Sequence, residues 1–122
     1  MNDLRILVID NEDVICDACR MVLTEKGHKV DYYTTGNSGL QAAGLRHYDL
    51  VLLDMKLPDM DGMDILRRLK DRNPSLAVIV MTGYSTISNA VQAMKLGAVD
   101  YLSKPFTDDE LLRAVKNSCG VQ

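Results

Sequence analysis

The chain has 122 residues, 47% of them apolar and 25% charged, with a formal net charge of -3, which suits one compact domain and leaves no room for a second. Apolar runs such as residues 6–9 and 77–81 fall well short of the ~20 residues that a bilayer crossing needs. The amino terminus lacks the basic start and long apolar stretch of a secretory signal, and three cysteines (Cys16, Cys19, Cys119) imply no disulfide framework, so a cytoplasmic protein is expected, with no membrane contact. Taken in order, residues 4–9 read as a strand, and Asp10-Asn11-Glu12-Asp13 closes it with residues that favour turns and helix caps. From 13 to 26 the apolar residues Val14, Ile15, Ala18, Cys19, Val22 and Leu23 recur at intervals of three and four, and Gly27 stops that helix. A strand at 29–34, a helix at 37–45 and a continuous apolar strand at 49–53 follow. Another amphipathic helix is expected at 63–72, the most apolar strand at 76–81, a weakly charged helix at 86–95 ended by Gly97, and a last strand at 99–103. Thr107-Asp108-Asp109-Glu110 has capping-box spacing and starts a final helix that runs to about residue 118.

Five strands alternating with five helices over short connections imply an α/β fold, a parallel sheet with helices on both faces. In open sheets of this kind the ligand site lies beyond the carboxyl ends of the strands. The residues there are Asp10 and Asn11, Asp54, Thr82 and Lys104: two acids, an amide, a hydroxyl and an amine. Taken alone, an Asp at a strand end is as a rule a cap or turn former, a Thr there a turn hydroxyl, and a Lys before Pro a surface residue. Their shared edge is what makes them a candidate site. Converging oxygens suit a small hard cation such as Mg²⁺. A carboxylate beside such a cation and a lysine can attack phosphorus to form an acyl phosphate, with Lys104 neutralising charge and Thr82 hydrogen-bonding a transferred oxygen.

Four segments, Val8-Ile9-Asp10-Asn11-Glu12, Asp54 to Gly62 (DMKLPDMDG), Met81-Thr82-Gly83-Tyr84 and Tyr101-Leu102-Ser103-Lys104-Pro105-Phe106, appear in one order along essentially the whole chain. On them the chain resembles the response-regulator receiver domain of two-component signalling, a single domain over residues 1–122. The resemblance implies a flavodoxin-like sheet of order 2-1-3-4-5 and Asp54 as acceptor of a phosphoryl group from a histidine kinase or phosphotransfer protein. It also implies Lys104 as the pairing cation, Thr82 and Tyr101 as switch residues, and a cis Lys104–Pro105 peptide. Mg²⁺ would be held by Asp10, Asn11, Asp54 and the backbone carbonyl of Lys56, with the side chains of Lys56 and Tyr84 at the mouth of the site. Asn11 departs from the family, which commonly has an acid there. A unit pair at about 4 Å is worth roughly 4 kcal/mol at an effective dielectric near 20, so weaker Mg²⁺ binding is expected, offset in part by Glu12.

The output surface is expected around the fourth helix (Ile87, Ala90, Val91, Met94), Tyr101 and the last helix, although most of those apolar residues should face the core. That surface would meet an effector domain, a target protein or a second copy in a phosphorylation-dependent homodimer. Residues 82–106 look most like receivers of ATPase-type transcriptional activators of the nitrogen-regulation class, either standing alone or as the amino-terminal domain of a longer protein. Direct nucleic-acid contact is not expected, since Lys and Arg do not cluster. Cys16-Asp17-Ala18-Cys19 matches C-x-x-C but lies inside a helix, where Cys19 faces the core, and a redox pair should open one. A flavin or nucleotide binder needs a Gly- or hydroxyl-rich first loop, and this loop is acidic. A phosphohydrolase with an Asp nucleophile commonly has an acid two residues on, where Lys56 stands, so turnover of external substrate is not expected. A binding-only, non-phosphorylated receiver is the alternative that Asn11 raises. His28 and His47 are read as surface residues.

Overall fold

Parallel strands covered by helices on both faces must be apolar along their length, and residues 50–53 and 77–81 are. The computed structural model describes residues 3–83 and 87–119, without the side chains of 87 and 88. Strands β1 (Arg5–Ile9), β2 (Lys29–Tyr33), β3 (Leu50–Asp54), β4 (Ala77–Thr82) and β5 (Asp100–Ser103) alternate with helices α1 (Asp13–Glu25), α2 (Gly36–Leu45), α3 (Gly62–Arg72), α4 (Ile87–Lys95) and α5 (Asp108–Ser118). All pair in parallel in the order β2-β1-β3-β4-β5, as expected. Every residue of β3 and β4 is buried, whereas the edge strands β2 and β5 are half-buried.

Alternation along the strands splits the core in two. Leu7, Ile9, Val51, Leu53, Val78 and Val80 pack toward α2, α3 and α4, with Tyr101 against them. Ile6, Val8, Leu50, Leu52, Ile79 and Met81 pack toward α1 and α5. The register aligns Ile9 with Leu53, Leu53 with Val80 and Val80 with Tyr101, so the strands end almost level. The carboxyl edge thereby gathers Asp10, Asp54, Thr82 and Lys104.

Local sequence rules account for most helix ends. Thr107 and Glu110 form the expected capping box of α5. Asp61 caps α3, and Gly27 and Gly97 take the positive φ that ends α1 and α4. Three expectations are corrected. No side chain caps α1: Glu12 is its N-cap residue but makes no capping bond. In α1 the buried residues are Cys16, Cys19 and Leu23, while Val14 is 77% exposed. Among the described side chains of α4 the core residue is Ala93, and Val91 and Met94 of the expected stripe face outward at 46% and 47% exposed; the side chain of Ile87 lies outside the described residues. Thr86 lies outside the described residues, as does Tyr84. Among the described residues no helix is long and apolar enough to cross a membrane.

Candidate functional site

Asp10 follows β1, Asp54 and Thr82 end β3 and β4, and Lys104 follows β5; the first three are 0%, 5% and 3% exposed. Polar side chains survive such burial only when they meet one another or a ligand. Lys104 Nζ lies 2.7 Å from Asp10 Oδ2, 3.1 Å from Glu12 Oε1 and 3.4 Å from Asp54 Oδ2. Asp10 Oδ1 accepts the Glu12 amide at 2.9 Å, and Asp54 Oδ1 accepts the Lys56 amide at 3.2 Å. The contact to Lys104 is ionic in kind, because Asp10 Oδ2 is fully buried and has no hydrogen-bond partner of acceptable geometry.

Three carboxylates around one ammonium leave an excess of negative charge. Burial pushes the Asp10 carboxyl above its ordinary value, which the Lys104 bond and the Glu12 amide offset in part, while the charge of Asp54 adds to the rise. Burial alone would lower Lys104, but the close contact and charge of Asp10, then the charge of Asp54, outweigh it and raise the ammonium's pKa. The raised ammonium keeps Lys104 charged, while the raised Asp10 carboxyl reflects chiefly the cost of burying its charge. The residues present therefore fit a hard cation: oxygen donors alone, a buried carboxylate oxygen without a hydrogen bond, and surplus negative charge. Among the described residues no cluster of three His, Cys, Asp or Glu is arranged as a metal-ligand set, so backbone oxygen, an amide or water would complete the coordination.

The sequence-expected residues do not all sit alike. Asp10, Asp54, Thr82 and Lys104 share the strand-end rim, and Asn11, Glu12, Lys56 and Thr82 line one open cleft with Asp54 and Lys104. Asn11 and the Lys56 side chain are exposed there. Tyr101 stands outside the cleft, half-buried against the core under α4, and burial raises its phenol. Lys104 and Pro105 are joined by a cis peptide. Glu12 is the larger surprise: its carboxylate leaves the helix end it would cap and goes to Lys104, 92 residues away. Asp59, also unforeseen, accepts the Gly36 and Asn37 amides at 2.7 and 2.9 Å.

Cys16 and Cys19 are both fully buried, and burial pushes their thiols up to about 12, the opposite of a redox-active pair. His28 is half-buried and accepts the Leu4 amide at 3.0 Å, so its surface reading is corrected; His47 is exposed.

A family model described as the response regulator receiver domain matches residues 6–116. The chain belongs to that family. Among relatives of this receiver, the transcriptional regulatory protein DltR of Streptococcus agalactiae is 37% identical over 113 residues, 93% of this chain and 50% of that one. The transcriptional regulatory protein ZraR of Escherichia coli O157:H7 is 37% identical over 110 residues, 90% of this chain and 25% of that one. The receiver thus spans between a quarter and a half of the length of these relatives. Among solved structures, a CheY-like receiver domain protein from Methanospirillum hungatei superposes with a TM-score of 0.93 at 31% identity, covering 98% of this chain and 95% of that one. NtrX from Brucella abortus superposes at 0.92 with 32% identity, covering 98% of this chain and 27% of that one.

Proposed function

We propose that this receiver is a phosphoacceptor in which Asp54 takes a phosphoryl group from a histidine kinase or phosphotransfer protein in a Mg²⁺-dependent reaction. The observation that carries the reading is the Asp54–Lys104 pair: a buried carboxylate with one oxygen 3.4 Å from a confined ammonium, at the rim of an open cleft. Asp54 would attack phosphorus with its carboxylate, forming an O–P bond as the N–P bond of the donor imidazole breaks, and the leaving imidazole keeps that electron pair. Asp10, Asn11, Asp54 and the Lys56 carbonyl would hold the cation, which supplies charge neutralisation on phosphoryl oxygens. Lys104 would turn from Glu12 to a phosphoryl oxygen, and the Thr82 hydroxyl would donate to another. A binding-only receiver gains no support from this geometry, since the acceptor and its cation already face each other.

Relatives named as transcriptional regulators support a further reading, that residues 1–122 form one cytoplasmic input domain acting on an effector. Outward-facing Val91 and Met94 of α4, with Tyr101 and α5, would be the surface for an effector, a target or a second copy. Intact-protein mass spectrometry after incubation with acetyl phosphate tests the core claim. One phosphoryl adduct is expected on the wild type with Mg²⁺, and none on Asp54→Asn or without metal. An adduct that survives in Asp54→Asn refutes the assignment.

A further inference from the structure

The segment between β3 and α3 carries Lys56, whose amide holds Asp54 Oδ1 at 3.2 Å. Its neck is closed: Gly62 donates to the Met55 carbonyl at 3.2 Å, and Lys56 and Asp61 form an isolated antiparallel bridge. A Cβ at Gly62 would stand 2.5 Å from Met55 Cα, so glycine permits that closure. At the tip, Leu57 and Met60 pack against the core, and Asp59 lies between them on the surface. A surface carboxylate has water as an alternative partner, yet both Asp59 oxygens are committed to the first two amides of α2, one each. The helix has its own cap, because Thr35 Oγ accepts the Ser38 amide at 3.2 Å and the Thr35 carbonyl accepts Gly39 at 3.1 Å. Asp59 therefore takes the two amides that Thr35 leaves over and, in doing so, joins two elements. Gly36 makes this approach possible, since a Cβ there would stand 2.7 Å from Ile65 Cδ1 and 3.1 Å from Met60 Cβ.

We propose that Asp59 is a positioning residue: by fastening the tip of the loop to the amino end of α2 it fixes the Lys56 backbone against Asp54, and so sets the site's affinity for Mg²⁺. This rests on the phosphoacceptor reading for the identity of the cation, but not for the placement of Lys56. A closed neck transmits the position of the tip to its base. Released from α2, the tip is held by the packing of Leu57 and Met60 and by the closed neck, and the Lys56 amide and carbonyl are aimed less tightly. The two amide bonds also hold the Asp59 carboxyl below its usual range, so it is ionised at any working pH.

The experiment compares wild type, Asp59→Ala, Asp59→Asn and Thr35→Ala, the last removing a cap of the same helix without touching the loop. Magnesium chloride binding is measured by calorimetry, amide exchange at Lys56 by NMR, and stability in urea. Asp59→Ala is expected to weaken Mg²⁺ binding about tenfold, the scale for losing an outer-shell partner of a metal ligand, and to speed exchange at Lys56. Asp59→Asn, which keeps one acceptor oxygen, should fall between, and Thr35→Ala should lose stability with Mg²⁺ affinity unchanged. If Asp59→Ala and Thr35→Ala both leave the affinity within about twofold of wild type and Lys56 exchange unchanged, Asp59 is a helix cap and the proposal is overturned. If wild type binds no Mg²⁺, the phosphoacceptor reading fails, and exchange at Lys56 alone then decides the positioning role.

Discussion

Replacing Lys104 by Met keeps most of the side chain's volume and removes its charge, which isolates the electrostatics of the site. Lys104 is 12% exposed, with Asp10 Oδ2 at 2.7 Å and Asp54 Oδ2 at 3.4 Å. At an effective dielectric near 20 those contacts represent roughly 6 and 5 kcal/mol of bare attraction, most of it offset by desolvation. Removing one partner of a buried pair costs about 3–5 kcal/mol, because the other charge is left unpaired. We expect about 3 kcal/mol here, since the cleft is open and Glu12 can swing into water; for a chain of this length that lowers Tm by about 10 °C. The loss should depend on pH with a definite sign. Asp10 already has its carboxyl raised by burial, and without Lys104 it rises further. A folded pKa above the unfolded one of about 3.9 means that the penalty is absent below that value and complete once pH exceeds the folded pKa. Urea unfolding of both proteins near pH 7.5 and at about pH 4.5 should therefore show a gap that narrows in acid. A gap under about 1 kcal/mol, the scale of an exposed ion pair, or one that is constant with pH refutes the reasoning.

Asn11→Asp adds a carboxylate at the exposed position beside Asp54 in the cleft. It is expected to tighten Mg²⁺ binding on the order of tenfold, a fraction of the ~4 kcal/mol bare figure because water screens it; equal affinities in a calorimetric titration would show that Asn11 is not near the cation. Gly39→Ala sets helix propensity against packing. Propensity favours Ala by about 1 kcal/mol, but its Cβ would stand 2.6 Å from Ile9 Cδ1 and 2.7 Å from Cγ1 of a side chain that has no exposed surface. Net destabilisation of about 1–2 kcal/mol in urea is expected, and a stabilised variant would mean that α2 rides off β1 freely.

The element bounds were legible to within a residue or so because β3, β4 and β1 after Arg5 are buried on both faces and carry nothing but apolar side chains until Asp10, Asp54 and Thr82. The site followed from where those strands stop. What stayed hidden depends on distance along the chain. Nothing near Glu12 announces that its carboxylate will prefer Lys104 to the free amides of α1, and nothing near Asp59 announces the amides of α2, more than 20 residues back. Apolar periodicity also marks a stripe without telling which way it faces. Val14, Val91 and Met94 continue the pattern of their helices and still lie in water, while Cys16 and Ala93 take the core positions.

The strand alternation places the site residues over two different faces of the sheet. Asp10, Asp54 and Lys104 follow Val8, Leu52 and Leu102, the residues that face α1 and α5. Thr82 follows Val80, on the face toward α4, and Val80 is the register partner of Tyr101. On the phosphoacceptor reading, we propose that charge placed on Asp54 acts on one face at Lys104 and on the other at Thr82. The Thr82 carbonyl also accepts the Lys104 amide at 2.9 Å, so Thr82 and Lys104 are tied through backbone. Tyr101 lies against the core cluster that includes Ala93 of α4, the helix whose Val91 and Met94 are exposed; on the same reading, we propose that a change at the rim reaches the surface by that route.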